Sequence, residues 1–145
     1  MRTSQRGLDL IKEFEGFKEK AYMCPGGKWT IGYGHTAGVR SGDVITMSQA
    51  EMYLKFDVGD AEIAVMSLVQ APLSQNQFDA LVSFVYNVGS GNFYNSTLRR
   101  LINERCSDAD KIKRAFLMWR KAQGRTLSGL VKRREAEFKL FSSNE

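Results

Sequence analysis

The chain has 145 residues, 43% of them apolar and 26% charged, which fits one globular unit able to bury a core of its own. A net charge of +5 and a pI near 9.3 favour anionic partners in general, so nucleic acid, anionic lipid and bacterial envelope all remain open on charge alone. No run of about 18 apolar residues is present, which excludes a helical membrane span, and no zinc spacing, Walker loop or ribonucleoprotein signature points to a nucleotide or nucleic-acid module.

In chain order, residues 1–7 start basic but pass into an amphipathic pattern without an apolar core segment, so neither a secretory signal nor an export anchor is expected. Residues from about 4 to 15 are predicted to be helical, with Leu8, Ile11 and Phe14 at helical spacing and Gly16 loosening the chain after Glu15. The pattern changes between residues 21 and 44. Pro25-Gly26-Gly27 is a turn signal, Trp29-Thr30-Ile31 suits a strand, and Gly32, Gly34, Gly38 and Gly42 punctuate a small, partly β segment. Thr46 with Gln49, and Ser74 with Gln77, have capping-box spacing and mark two helix starts. The first of these helices carries Leu54, Val58, Ala61, Val65 and Leu68 on one stripe and is long enough to join two lobes, with Pro72 closing the segment. The second carries Phe78, Leu81, Val82, Val85 and Val88, a face wide enough to centre the core, and Gly89 is its expected C-cap. Shorter helices are expected over about 97–105, around Ile112, Ala115, Phe116 and Trp119, and over about 130–141. The class is α+β, predominantly helical. One domain is expected, with a small β-containing lobe over about 16–58 and a helical lobe from 1–15 plus 59–145. Cys24 and Cys106, without an export signal, read as thiols in a reducing compartment.

The chemistry concentrates near the N-terminus. Eight residues separate Glu15 from Cys24, five separate Cys24 from Thr30, and Ile31-Gly32-Tyr33-Gly34-His35-Thr36 follows at once. This segment resembles the active-site segment of phage-type lysozymes, the endolysins or muramidases, in which the middle position is usually Asp and sometimes Cys. Residues 77–89 are similar to that family's central core helix, Asn92-Phe93 and Ser96-Thr97-Leu98 continue the likeness, and residues 129–135 are similar to its C-terminal Arg-Arg motif. Three motifs in family order span nearly the whole chain.

The resemblance implies a lysozyme-like two-lobed fold and hydrolysis of the β-1,4 bonds between N-acetylmuramic acid and N-acetylglucosamine in bacterial peptidoglycan, with cell lysis as the result. Such cleavage needs a group that protonates the departing oxygen and a means of delivering water to the sugar carbon. Glu15 takes the part of general acid, a role that requires surroundings able to keep a carboxyl protonated at neutral pH. Cys24 and Thr30 are implied to position or activate water. Cys24 acts as a base only as a thiolate, which neighbouring Lys20 and Lys28 would favour. It also reads as a nucleophile making a covalent sugar adduct, or as an inert residue. Arg133 is implied to face and place Glu15, with Arg134 as the alternative, and a solvated basic face as the bland reading. Asn87 and Trp119 are implied to line the floor beneath the acid, joined by an amide–indole hydrogen bond, or else to be helix end and core. His35, the sole histidine, pairs with Asp57 in the implied arrangement and is structural rather than an acid–base group. Trp29, Tyr33 and Gly32 are candidate substrate contacts, though a small sheet also needs aromatic residues to cover it. No cofactor and no metal are implied. Peptidoglycan is the partner, with no nucleic acid, no membrane span and a monomeric state. The protein would wait in the host cytoplasm until a separate membrane-permeabilising protein releases it to the wall. Two other classes stay open: a wall-binding relative that has lost catalysis, and a nucleic-acid-binding protein supported by charge alone.

Overall fold

The computed structural model describes residues 1–144. Helix α1 (Gln5–Glu15) starts at Ser4, whose own side chain does not cap it. Its start is instead tied to the rest of the chain by two acidic side chains. Thr3 donates its backbone N–H and its hydroxyl to Glu62, both at 2.7 Å, while Ser4 donates its N–H at 3.0 Å and its hydroxyl to the buried Asp79. Gly7 is pressed so closely on Asp79 that an added Cβ would stand 2.8 Å from the Asp79 carboxyl carbon, which explains a glycine inside a helix.

Strands β1 (Lys18–Met23) and β2 (Trp29–Gly32) pair antiparallel, with Met23 opposite Trp29 and Tyr22 opposite Thr30. Single bridges join Lys20 to Val44 and Ile31 to His35. β1 was not predicted as a strand. It is largely exposed and polar, so pairing rather than alternation defines it.

Helix α2 (Met47–Leu68) begins with the complete capping box of Thr46 and Gln49, and at 22 residues it runs roughly 33 Å. Leu54, Val58, Ala61 and Val65 are buried, and Leu68 is half-buried. The opposite stripe of Met52, Phe56, Ile63 and Met66 is also apolar, yet it faces outward, with Phe56 80% exposed. Helix α3 (Gln75–Val88) starts with the capping box of Ser74 and Gln77 and stops at Gly89, whose φ of 93° suits glycine. It packs against α1, α2 and the last helix, and Phe78, Ala80, Leu81, Val82 and Phe84 are fully enclosed. Then come α4 (Ser90–Tyr94), α5 (Thr97–Asn103), α6 (Ala109–Leu117), a hairpin of β3 (Lys121–Ala122) and β4 (Arg125–Thr126), and α7 (Ser128–Ser142). The hairpin and α4 were not expected. α6 ends before Trp119, which lies beyond the helix rather than within it.

A single apolar cluster joins Ile31, Tyr33 and Ile45 of the β-containing part to α2 and onward to α3, α5 and α6. Phe84 sits at its centre, meeting Phe93, Phe116 and Trp119 edge-on. No helix among the described residues is long and apolar enough to cross a membrane.

Candidate active site

Glu15 is the last residue of α1, so its carboxyl projects where the helix gives way to the Gly16 bend. One oxygen, Oε2, accepts a hydrogen bond from Arg133 Nη1 at 2.8 Å. The other, Oε1, lies against the turn at Gly34, where an added Cβ would stand 3.0 Å from it and where φ is 88°. A glycine is required there twice over, for the backbone angle and for the close approach to the acid. Tyr86 of α3 reaches across to the same turn and donates its hydroxyl to the Tyr33 carbonyl at 3.2 Å. Burial, and then the negative charges of Glu15 and Asp57, push the Tyr86 phenol well above its ordinary range, so it stays neutral and serves as a donor.

Arg133 is only 3% exposed and is fixed on every side. Its Nε donates to Glu137 at 3.2 Å, and its Nη2 donates to the Ser83 carbonyl at 3.2 Å and hydroxyl at 3.4 Å. Arg134, one position on, does not meet Glu15. It turns inward to Asn87 Oδ1 at 2.9 Å and to Glu137, with its guanidinium 5.0 Å from the Phe84 ring centre. Asn87 thus takes an arginine N–H in place of the expected indole N–H. Trp119 packs edge-on against Phe84 without bonding to the amide.

Cys24 and Thr30 come together where β1 and β2 meet. The Thr30 side chain is buried, and its hydroxyl donates to the Lys28 carbonyl at 3.2 Å. Cys24 is half-buried, and its backbone closes the turn through Lys28 and Gly27. Hydrogen bonding by the Thr30 side chain, then by backbone at Lys28 and Gly26, holds the thiol below its ordinary pKa. The expected help from Lys20 and Lys28 ammonium groups is not what lowers it. A hydroxyl is a rotor, so the Thr30 proton can turn from the Lys28 carbonyl to a thiolate when one forms.

His35 Nδ1 lies 2.7 Å from Asp57 Oδ2 and its ring stacks on Tyr53, which ties the turn after β2 to α2. Tyr33 is 7% exposed, with its ring against Phe17 and under Lys12 Nζ, so it packs rather than presenting a face to ligand. Gly32 is buried against Ala50 of α2, 3.0 Å from where its own Cβ would be, and is likewise a packing position. Trp29 is half-buried on β2. Among the described residues, no group of three or more His, Cys, Asp or Glu side chains is placed to hold a metal ion.

The Glu15 carboxyl is thus gripped by a buried arginine, and the Cys24 thiol and Thr30 hydroxyl share the hairpin of β1 and β2. The family model described as phage lysozyme matches residues 12–137, most of the chain and every residue of this site. The chain belongs to the phage-lysozyme family. It is 44% identical over 147 residues to an endolysin of Acyrthosiphon pisum secondary endosymbiont phage 1, covering 99% of both chains. It is 45% identical to an endolysin of Bacillus phage B103, but spans only 56% of that protein's length. Among solved structures, the muramidase domain of SpmX from Asticaccaulis excentricus superimposes with a TM-score of 0.92 at 39% identity, covering 99% of both chains. The fold is therefore the lysozyme fold.

Three residues of this lysozyme site went unnoticed in the sequence: Ser83, Tyr86 and Glu137. Glu137 carried a usable signal, since it stands four residues after Arg133 and three after Arg134, the spacing at which helical side chains meet. Ser83 and Tyr86 carried none, because only the packing of α3 on α7 and on the Gly34 turn brings them in.

Glu137 is wholly buried. Its Oε2 accepts from the Ser83 hydroxyl at 2.7 Å and from both arginines at 3.2 Å. Its Oε1 approaches Arg134 Nε to 2.8 Å without hydrogen-bond alignment, so Arg134 Nε and Nη1 and Glu137 Oε1 are left without aligned partners. Burial pushes the Glu137 carboxyl up, against the pull of the two guanidiniums and the serine hydroxyl. Burial likewise lowers the pKa of Arg134, against the pull of Glu137.

Proposed function

We propose that this lysozyme-family chain is a muramidase that cleaves the β-1,4 bonds between N-acetylmuramic acid and N-acetylglucosamine in bacterial peptidoglycan and so lyses the cell. The observation that carries the reading is the Glu15 carboxyl, held through one oxygen by buried Arg133 at 2.8 Å and bordered on the other by the Gly34 turn. Relatives named as endolysins and a muramidase domain support the same substrate class.

In the proposed reaction Glu15 protonates the glycosidic oxygen as the sugar–oxygen bond breaks. Water attacks the opposite face of the sugar while the Cys24 thiolate, supported by the Thr30 hydroxyl, takes its proton. The first product then has the α configuration, inverted from the β-linked glycan. A separate membrane-permeabilising protein gives the enzyme access to the wall from the host cytoplasm.

Glu15→Gln tests the assignment, because it keeps the side chain's shape and removes the transferable proton. The variant should clear suspensions of outer-membrane-permeabilised bacteria at least roughly 10²–10⁴-fold more slowly, with an unchanged melting transition. Near-parental clearing would remove Glu15 from the role of acid.

A further inference from the structure

The reaction outlined above makes no use of Glu137, the fully buried carboxylate beneath Arg133. The groups around it are donors: the Ser83 hydroxyl, Arg133 Nε, and Nη2 and Nε of Arg134. Burial alone favours the neutral acid, but a carboxyl met by donors only, two of them guanidiniums, is arranged for its ionised, acceptor form. Arg133 stands between two acids, giving Nη1 to Glu15 and Nε to Glu137. Arg134 adds a second buried cation to the same cluster and spends no hydrogen bond on Glu15.

A general acid works from its protonated form, and each unbalanced cation beside a carboxyl favours the anion instead. Two guanidiniums without a counter-charge would therefore hold the acid in place and disable it. We propose that Glu137 is a positioning residue that offsets one of the two buried guanidinium charges, so that Arg133 can orient Glu15 while leaving it able to carry the proton. The inference rests on the reading of Glu15 as the general acid.

Among the described residues, the other elements around the cluster do not supply that negative charge. From α3 come Ser83, Asn87 and the neutral Tyr86 phenol. Asp57 is engaged with His35 at 2.7 Å, and Lys12 of α1 with Glu51 at 2.7 Å. Lys113 of α6 lies over the Phe138 ring.

The test compares Glu137→Gln, Arg134→Gln and the double variant with the parent, following the Glu15 carboxyl carbon by NMR through a pH titration and recording the pH–activity profile of each protein. Glu137→Gln should move the Glu15 midpoint, and the descending high-pH limb of activity, down by about one pH unit. Arg134→Gln should move both upward, and the double variant should return them to the parent. A purely structural role does not give opposite signs that cancel. If Glu137→Gln fails to fold, because removing one member strands two buried cations, Arg134→Gln and the charge-balanced double variant still decide the matter. Midpoints that coincide in every folded variant, or that all move in one direction, would overturn the inference. An active parent with unmoved variants overturns this role alone, whereas a parent that titrates normally but leaves peptidoglycan intact overturns the muramidase reading.

Discussion

The neighbours of Cys24 decide what a thiol can do there. The side chain is half-buried rather than enclosed, and the Thr30 hydroxyl is the leading group that favours its ionised form. Only the thiolate reacts with alkylating agents, so a lowered thiol pKa moves the pH midpoint of alkylation downward. Iodoacetamide should modify Cys24 with a midpoint below the roughly 8.5 of a free thiol. Thr30→Val, which removes the hydroxyl and keeps the shape, should raise that midpoint. If the midpoint is the same in both proteins, Thr30 does not support the thiolate. In clearing of permeabilised bacteria, Cys24→Asp should keep or increase lytic activity and Cys24→Ala should lose most of it. A Cys24→Ala protein with full activity would make the thiol a bystander. At this scale the sequence, through its family resemblance, pointed to the contact of Glu15 with Arg133 rather than Arg134, which is made at 2.8 Å. It was silent where a role depends on what packs behind a residue. Tyr33 reads equally well as a sugar platform and as a cover for the sheet, and its burial between Phe17 and Lys12 comes only from the packing.

Helices were legible from periodicity with or without a start signal: α1 and α7 lack a side-chain cap and were expected, whereas the five-residue α4 was not. The boxes at Thr46 and Ser74 are local chemistry, complete within four residues, and both are formed. Strand β1 and the two-residue strands of the late hairpin pair with near neighbours in the chain, but they are exposed and short, so no apolar alternation marks them. Helix α2 shows a different limit. It is apolar on two faces, and periodicity alone does not say that Leu54, Val58, Ala61 and Val65 turn inward while Met52, Phe56, Ile63 and Met66 turn outward. The turn after β2 allows a direct test of why glycine stands where it does. Gly34 and Gly38 both have positive φ, 88° and 71°, but only Gly34 touches the acid, whereas nothing lies within 4 Å of where a Cβ at Gly38 would be. Each Gly→Ala change should cost about 1–2 kcal/mol of stability from the backbone alone, read by urea denaturation. Activity should fall at least tenfold further in Gly34→Ala. Equal activity in the two variants would mean that the turn does not help to shape the site.

At the scale of the whole molecule, one core runs through both the β-containing part and the helical part, since Ile31, Tyr33 and Ile45 share a cluster with α2 and α3. A shared core favours unfolding as one cooperative unit. The two tryptophans offer separate reporters, Trp29 on β2 and Trp119 against Phe84. Single-tryptophan variants, Trp29→Phe and Trp119→Phe, should show fluorescence transitions in urea that coincide with loss of helical circular dichroism in the same protein. An earlier transition at Trp29 would mean that the two lobes unfold separately. The predominantly helical class was legible because long amphipathic helices dominate the chain, whereas the share of Ile31, Tyr33 and Ile45 in the core was not. The contact by which α7 returns to α1 was implied only by the family resemblance, since no local pattern links residues 118 positions apart.

Helix α1 is fixed at both ends: by Glu62 and Asp79 at its start, and through Glu15 to Arg133 at its finish. It therefore behaves as a ruler whose length in residues matters as much as their identity. One residue inserted between Gly7 and Glu15 would advance the acid by about 1.5 Å and swing it by about 100° around the helix axis. The start would stay docked while the carboxyl pointed away from Arg133 and Gly34. Exposed residues of this helix can therefore be exchanged, but none can be added or deleted without parting its anchored start from the Glu15–Arg133 bond.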